Sequence, residues 1–175
     1  MMRTESSSVH PCCRLFHIHR DDTVSFNTTH TRRIIPPTSP FGLIQESIWK
    51  DEWLLLVVCV MLNRTSRKQV ERVLPKFVHE WPNARVVVDA DVSDLANVIR
   101  PLGFCNRRAS TLKKLSEAYL SSWSHVSELP GVGDYAAASH EIFCCGNVPA
   151  TPPKDHALSA YVEWYNGLKN NRCLP

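Results

Sequence analysis

The chain predicts an all-α fold, on three observations. Segments of helical length carry their apolar residues in helical order and stop at glycine or proline. The one strand candidate, Val86 to Val88, is brief and has no obvious pairing partner. A Pro-Gly hairpin, Leu129-Pro130-Gly131-Val132-Gly133, lies between two helical stretches and makes a helix-hairpin-helix unit of residues 106–145.

Residues 1–36 are rich in Ser, Thr, His and Arg, lack sustained periodicity and end at Pro36-Pro37, the pattern of a poorly ordered polar tail. Residues 37–175 then form one domain. A first helix is expected from about Phe41 to Trp49, and a second from Asp51 to about Leu62. The second is hydrophobic all round (Trp53, Leu54, Leu55, Leu56, Val57, Val58, Val60, Met61), which marks a buried central helix. Ser66 to Trp81 is amphipathic, with Val70, Val73, Leu74, Phe77 and Val78 on one face and Pro75 expected to kink it. Ser93 to Ile99 reads as a short helix stopped by Pro101 and Gly103. Asn106 is predicted to cap a longer helix that runs to about Ser122, with Leu112, Leu115, Tyr119 and Leu120 inward. After the hairpin come a small-residue helix, Asp134 to Cys145, stopped by Gly146, and a last helix from Asp155 to near Gly167.

At 175 residues and 43% hydrophobic, the chain is one domain with enough apolar residues for a real core. Its net charge is +3 and its pI about 8.5, but the distribution is uneven. From Arg64 to Lys114 there are eleven Lys/Arg against five Asp/Glu, a local net of +6, the footprint expected for a polyanion. The seven cysteines show no secreted disulfide framework, and Cys59, inside an apolar run, reads as a small core residue. Cys12-Cys13 with His17 and His19 lack the spaced pairs of a zinc site, so no metal is expected. Met1 to Ser8 has no apolar signal-peptide region, and the longest apolar run, Trp53 to Leu62, has ten residues, too few to cross a bilayer. The expectation is a soluble intracellular protein with no membrane partner.

The hairpin carries chemistry. Pro130 presets φ for the second position of a tight turn, and Gly131 supplies the positive φ that a type II turn needs next. Gly131, Val132 and Gly133 then present backbone amides at the start of a helix, an anion site suited to a nucleic-acid phosphate. Asp155 lies twenty residues after Tyr135, and a carboxylate returned to the mouth of such a site could act on whatever the phosphate belongs to. Taken singly, each residue also has an ordinary reading. Asp155 is a good helix N-cap, Tyr135 a core tyrosine, Arg64 a surface arginine, Gln45 a helix-face residue and Phe104 loop packing.

In combination these motifs resemble the helix-hairpin-helix superfamily of DNA glycosylases, with its Gly/Pro-rich loop and catalytic aspartate. Ser39-Pro40-Phe41-Gly42-Leu43-Ile44-Gln45-Glu46, Leu62-Asn63-Arg64-Thr65-Ser66, Pro101-Leu102-Gly103, Leu129-Pro130-Gly131-Val132-Gly133 and Lys154-Asp155-His156 occur in the same order. Together they are similar to the mismatch-specific thymine/uracil branch of the methyl-CpG-binding domain protein 4 type, over residues 38–167. The resemblance implies a two-lobed all-α bundle with the active site between lobes. It makes Asp155 the catalytic residue, places Gln45 and Tyr135 in the pocket for a flipped pyrimidine, and sets Arg64 and Phe104 in the DNA stack. Tyr135 stands where bifunctional relatives carry a Schiff-base lysine, which implies base removal without strand cleavage. The implied partner is double-stranded DNA with G·T or G·U mismatches, bound by a monomer in the nucleus. No cofactor is implied, since only Cys173 follows the last helix and an iron–sulfur cluster needs four spaced cysteines. Two positions depart from the pattern: Ala157 replaces a lysine, and Asp134 replaces a basic residue and would repel phosphate. A non-catalytic helix-hairpin-helix DNA-binding module and an endonuclease III-like lyase remain as alternatives.

Overall fold

The computed structural model describes residues 35–172, so nearly all of the expected N-terminal tail, including Cys12, Cys13, His17 and His19, lies outside the described residues. Among these the structure is all-helical: α1 Gln45–Ile48, α2 Glu52–Leu62, α3 Arg67–Glu80, α4 Ala84–Asp89, α5 Val92–Val98, α6 Cys105–Tyr119, α7 Asp134–Phe143 and α8 His156–Arg172. No helix among them is long and apolar enough to cross a membrane.

Local chemistry sets most of the boundaries. The Asp51 carboxylate accepts from Leu54 N at 2.9 Å and starts α2, while Ser66 and Gln69 form a reciprocal capping box on α3. Asn83 Oδ1 accepts from Val86 N at 3.2 Å and starts α4. That cap settles the one strand candidate, Val86 to Val88: the three valines continue a capped helical turn, with Val87 buried and Val86 exposed.

Helix α2 runs through the middle of the molecule. Leu55, Leu56, Val57, Val58 and Met61 are fully buried, which explains why this sequence is apolar on every side. One set of its faces packs on α3 and α6, the other on α1 and α7. The two lobes divide accordingly, α3–α6 in one and α1, α7 and α8 in the other. Truncating a residue such as Leu55 to alanine would cost about 2–5 kcal/mol, because both lobes close over it. Tyr161 of α8 is fully buried, packs on Phe143 at 4.8 Å between ring centres, and donates to the Pro37 carbonyl at 3.1 Å. The start of the domain is thereby fastened to its last helix.

Several expected boundaries move. The first helix is a single turn, because residues 39–43 instead form a loop knotted onto Glu46, whose carboxylate accepts from Ser39 N, Ser39 Oγ and Leu43 N. Helix α3 continues through Pro75. Asn106 does not cap α6; Phe104, in the left-handed conformation, is the cap residue and makes no side-chain cap bond. Leu120, expected inward, lies just past the end of α6 and is exposed. Helix α7 ends at Phe143, ahead of the positive-φ Gly146, and α8 begins one residue after Asp155 and runs past Gly167 to Arg172.

Candidate active site and nucleic-acid interface

The hairpin forms as its residues dictate. Val132 N donates to the Leu129 carbonyl at 3.1 Å, and Gly131 has φ +84°, the third position of a type II turn. The turn presses against α2 and α6: a Cβ on Gly131 would stand 2.4 Å from Thr111 Cγ2 and 3.3 Å from Val60 Cγ2. Glycine is required here twice over, by conformation and by space. Gly133 then starts α7, whose first amides have no partner within the helix. Asp134 is exposed in that first turn, beside the amides.

Tyr135, also in this turn, is half-buried and faces α1. Gln45, 1% exposed, donates from Nε2 to the Tyr135 hydroxyl at 2.5 Å and to Ser139 Oγ at 3.5 Å. Cys59 of α2 completes the group. Burial pushes its thiol up to about 12, partly opposed by hydrogen bonds with Ser139 and Gln45, and the Asp155 charge raises it further. Burial likewise pushes the Tyr135 phenol up to about 12, helped by the charges of Cys59 and Asp155 and opposed by its bonds to Gln45 and Ser139. Both groups are therefore neutral at physiological pH. The Asp155 carboxylate is within electrostatic reach of both, so α1, α2, α7 and the start of α8 converge on one place.

Asp155 itself caps α8: its Oδ1 accepts from Ala157 N and Leu158 N, each at 3.0 Å. The cap reading is thus correct as local structure. It uses one oxygen, and Oδ2 makes no hydrogen bond among the described residues. His156, next to it, is exposed.

Arg64 and Phe104 lie apart in sequence and share an unusual property. They are the two non-glycine residues with positive φ among those described, at +57° and +47°. Left-handed backbone costs an ordinary residue roughly 1–2 kcal/mol, so the fold holds both in place against strain. Both line a cleft of about 340 Å³ together with Asn63, Arg107, Thr111 and Gly131. Phe104 is 67% exposed, a large apolar ring held out into water. Val60, which follows Cys59 on α2, also lines this cleft with Gly131 of the hairpin.

Sequence reading missed three residues of this region. Ser139 is signalled by its i+4 spacing from Tyr135 on one face of α7. Cys59 was placed in the core but not at the site. Arg108 was counted among the surface cations, yet it is 5% exposed, on the same stripe of α6 as Leu112 and Leu115. The +6 segment is correspondingly less free than its count suggests: Arg67 pairs with Glu71 at 2.6 Å and Lys76 with Glu80 at 3.8 Å, and Lys113 donates to the Ala90 carbonyl. Arg64, Arg107 and Arg108 are the cations of this segment that line the cleft beside Phe104, and the guanidinium of Arg108 is bonded within the protein.

At the far end of α7, His140, Glu141 and Cys145 place potential metal ligands within 4.8 Å of one another. Each already has a protein partner. His140 Nε2 meets Glu52 Oε1 at 2.5 Å, its Nδ1 meets Cys145 Sγ at 3.6 Å, and Asn147 donates to Glu141 at 2.8 Å. Glu52 also accepts from the Tyr119 hydroxyl at 3.1 Å, so the group is a polar tie between α2, α6 and α7.

Residues 57–173 match the model of the HhH-GPD superfamily of base excision DNA repair proteins. The chain belongs to this superfamily. Among curated relatives, it is 37% identical over 146 residues to a methyl-CpG-binding domain protein 4-like protein of Arabidopsis thaliana, covering 83% of this chain and 33% of that one. It is 32% identical to a thymine/uracil-DNA glycosylase of Pyrobaculum aerophilum, covering 71% of this chain and 57% of the relative. A thymine-DNA glycosylase of Aeropyrum pernix is 30% identical, with 71% and 59% covered. The chain thus spans between a third and three fifths of the length of these relatives. Among solved structures, a thermostable thymine-DNA glycosylase superposes with TM-score 0.54 at 25% identity, over 60% of this chain and 54% of that one. A trapped endonuclease III–DNA covalent intermediate superposes with TM-score 0.51 at 18% identity, over 57% and 53%, and shares the fold. The all-helical fold expected from sequence is therefore that of this superfamily.

Proposed function

We propose that this chain is a monofunctional DNA glycosylase that hydrolyses the N-glycosidic bond of thymine or uracil opposite guanine. The Gln45–Tyr135 hydrogen bond within electrostatic reach of Asp155, together with a cleft that holds Arg64 and Phe104, carries the reading. It is supported by the thymine and uracil activities in the names of the relatives.

The hairpin amides of Gly131, Val132 and Gly133 would hold a phosphate, and Phe104 would enter the stack as a flipped nucleotide leaves it. A G·T or G·U mismatch lowers the work of flipping, which supplies part of the selectivity. Breaking the bond develops positive charge on the sugar. The Asp155 carboxylate, fixed by Oδ1 to α8, would place Oδ2 where it stabilises that charge and orients the attacking water. One carboxylate suffices because thymine and uracil leave as resonance-stabilised anions. Gln45 and Tyr135 would read the polar edge of the flipped base. Tyr135 has no amine, so it forms no Schiff base with the sugar and the strand stays intact. Action as a monomer and in the nucleus are parts of the same proposal.

The test is single-turnover excision on duplexes carrying G·T, G·U or A·T at one CpG, read before and after alkali. The expected result is cleavage of the G·T and G·U strands only after alkali, abolished in Asp155→Asn with DNA binding kept. Cleavage without alkali would establish a lyase instead. The double cap made by Asp155 favours the other reading, a DNA-binding module without catalysis, and binding with no excision of any base would establish it.

A further inference from the structure

The structure assigns a positioning role to Arg108: its buried guanidinium fixes the left-handed conformations of Arg64 and Phe104 and so presents both side chains to the duplex. The inference rests on the reading above that these two residues meet DNA, and it concerns what holds them.

Among the described residues, the side chain of Arg108 bonds only to neutral groups. Its Nε donates to the Val60 carbonyl at 3.3 Å, Nη1 to the carbonyls of Leu102 (2.9 Å) and Gly103, and Nη2 to the Asn63 carbonyl at 2.7 Å and Thr65 Oγ1 at 3.0 Å. Its backbone N–H adds a bond to the Phe104 carbonyl at 2.9 Å. These acceptors bracket the two strained residues. Asn63 and Thr65 flank Arg64; Leu102 and Gly103 immediately precede Phe104. Thr65 Oγ1 also reaches the Leu102 carbonyl at 3.4 Å, so the two loops are tied to each other as well as to the guanidinium.

The physical argument follows from the donor geometry. A guanidinium is a rigid planar fork with five N–H donors, able to hold several carbonyls in a fixed mutual arrangement. A buried cation needs compensation, and among the described residues no carboxylate provides it; oriented carbonyl dipoles do. Val60 and Asn63 lie at the end of α2, where carbonyls lack partners within the helix, so Arg108 also closes that helix end. With the carbonyls of Asn63 and Gly103 drawn inward to one group, the chain reverses through the next residue in each loop. Those residues are Arg64 and Phe104, the two with positive φ. A lysine keeps the charge but is a single point on a flexible stem, and it cannot serve both loops at once.

The test uses the full chain and a G·U duplex in a double-mutant cycle. Arg108→Lys and Thr65→Val are made in the wild type and in an Arg64→Ala/Phe104→Ala background. In the wild type, Arg108→Lys should lower the single-turnover rate at saturating enzyme by roughly tenfold to a hundredfold, the scale of a small misplacement. In the double-alanine background it should change the rate less than about twofold, because its targets are gone. Hydrogen exchange should quicken at residues 63–65 and 103–104 and stay unchanged at 135–139. Equal losses in both backgrounds, or exchange quickened throughout, would show a general structural role and overturn the proposal. If Arg108→Lys does not fold, Thr65→Val carries the same cycle, and wild-type exchange and rate in that variant would overturn it. If the wild type excises no base, the glycosylase reading fails by itself. Duplex affinity then replaces rate in the cycle and decides Arg108 separately.

Discussion

Replacing Gly131 by alanine adds one methyl group at the tightest point of the hairpin. Two effects oppose it. At φ +84° a residue with a Cβ carries about 1–2 kcal/mol of backbone strain. The new carbon also stands 2.4 Å from Thr111 Cγ2, far inside the separation at which carbon atoms attract, and 3.3 Å from Val60 Cγ2. Overpacking of this kind costs about 1–3 kcal/mol. Restricting the unfolded chain gives back about 0.4–1 kcal/mol. The net expectation is a loss of about 2–4 kcal/mol. Thr111→Ser separates the two effects, because it deletes Cγ2 and keeps the hydroxyl that bonds the Arg107 carbonyl at 2.9 Å. In that background Gly131→Ala should retain the strain and the milder 3.3 Å approach to Val60, leaving a coupling of about 1–2 kcal/mol. Urea unfolding of the four proteins measures it. The same loss in both backgrounds, or a loss below about 1 kcal/mol in the wild type, would refute the packing of hairpin on α6 as the reason for this glycine.

Three further outcomes follow from the same geometry. Asp134→Asn, at the exposed start of α7, should raise duplex affinity a few-fold at low salt and much less at high salt, where screening removes the repulsion; it should also cost about 0.3–1 kcal/mol of helix stability. Fluorescence anisotropy across a salt series checks it, and unchanged affinity at low salt would count against phosphate binding there. Phe104→Gly should leave the melting temperature level or raise it, since glycine takes φ +47° without strain and the ring is largely exposed, while excision falls about tenfold or more; a destabilised variant would show that Phe104 is packing. Cys59, with its pKa raised from 9.0 to about 12, keeps its proton in the folded state, so the stability linked to it is intact below pH 9 and fades as pH climbs toward 12. Iodoacetamide at pH 8 should therefore label half-buried Cys105 and spare Cys59 until denaturant is added, as read by mass spectrometry.

The parts of the fold that were legible in the sequence are those governed by local chemistry. The all-round apolarity of α2 could mean only burial on every side, and Pro130-Gly131 could form only a narrow set of turns. Where a tertiary contact decides, the sequence misleads. Three successive valines at 86–88 favour a strand on propensity, but Asn83 caps a helix there and Val87 fills the core beside α6. Asn106 is a better cap residue than Phe104, yet the chain enters α6 from a left-handed Phe104 because the loop before it is held by Arg108. The charge of Arg108 reads as surface, and only the carbonyls it meets, up to 48 residues away in sequence, make its burial tolerable.

The same logic bears on Asp155. A residue that caps a helix and a residue that performs chemistry look like rival assignments on a sequence, because either explains an aspartate at that place. In three dimensions they describe different oxygens. Two amides on Oδ1 hold the carboxylate without using Oδ2. In the proposed mechanism the cap holds the carboxylate still, just as the left-handed backbone at Arg64 and Phe104 holds two side chains out of the core. In both places the local rule is satisfied or broken to the same end, the fixed presentation of a side chain. Helix α2, packed against both lobes, carries Cys59 of the Gln45–Tyr135 group and Val60 of the cleft lining as successive residues.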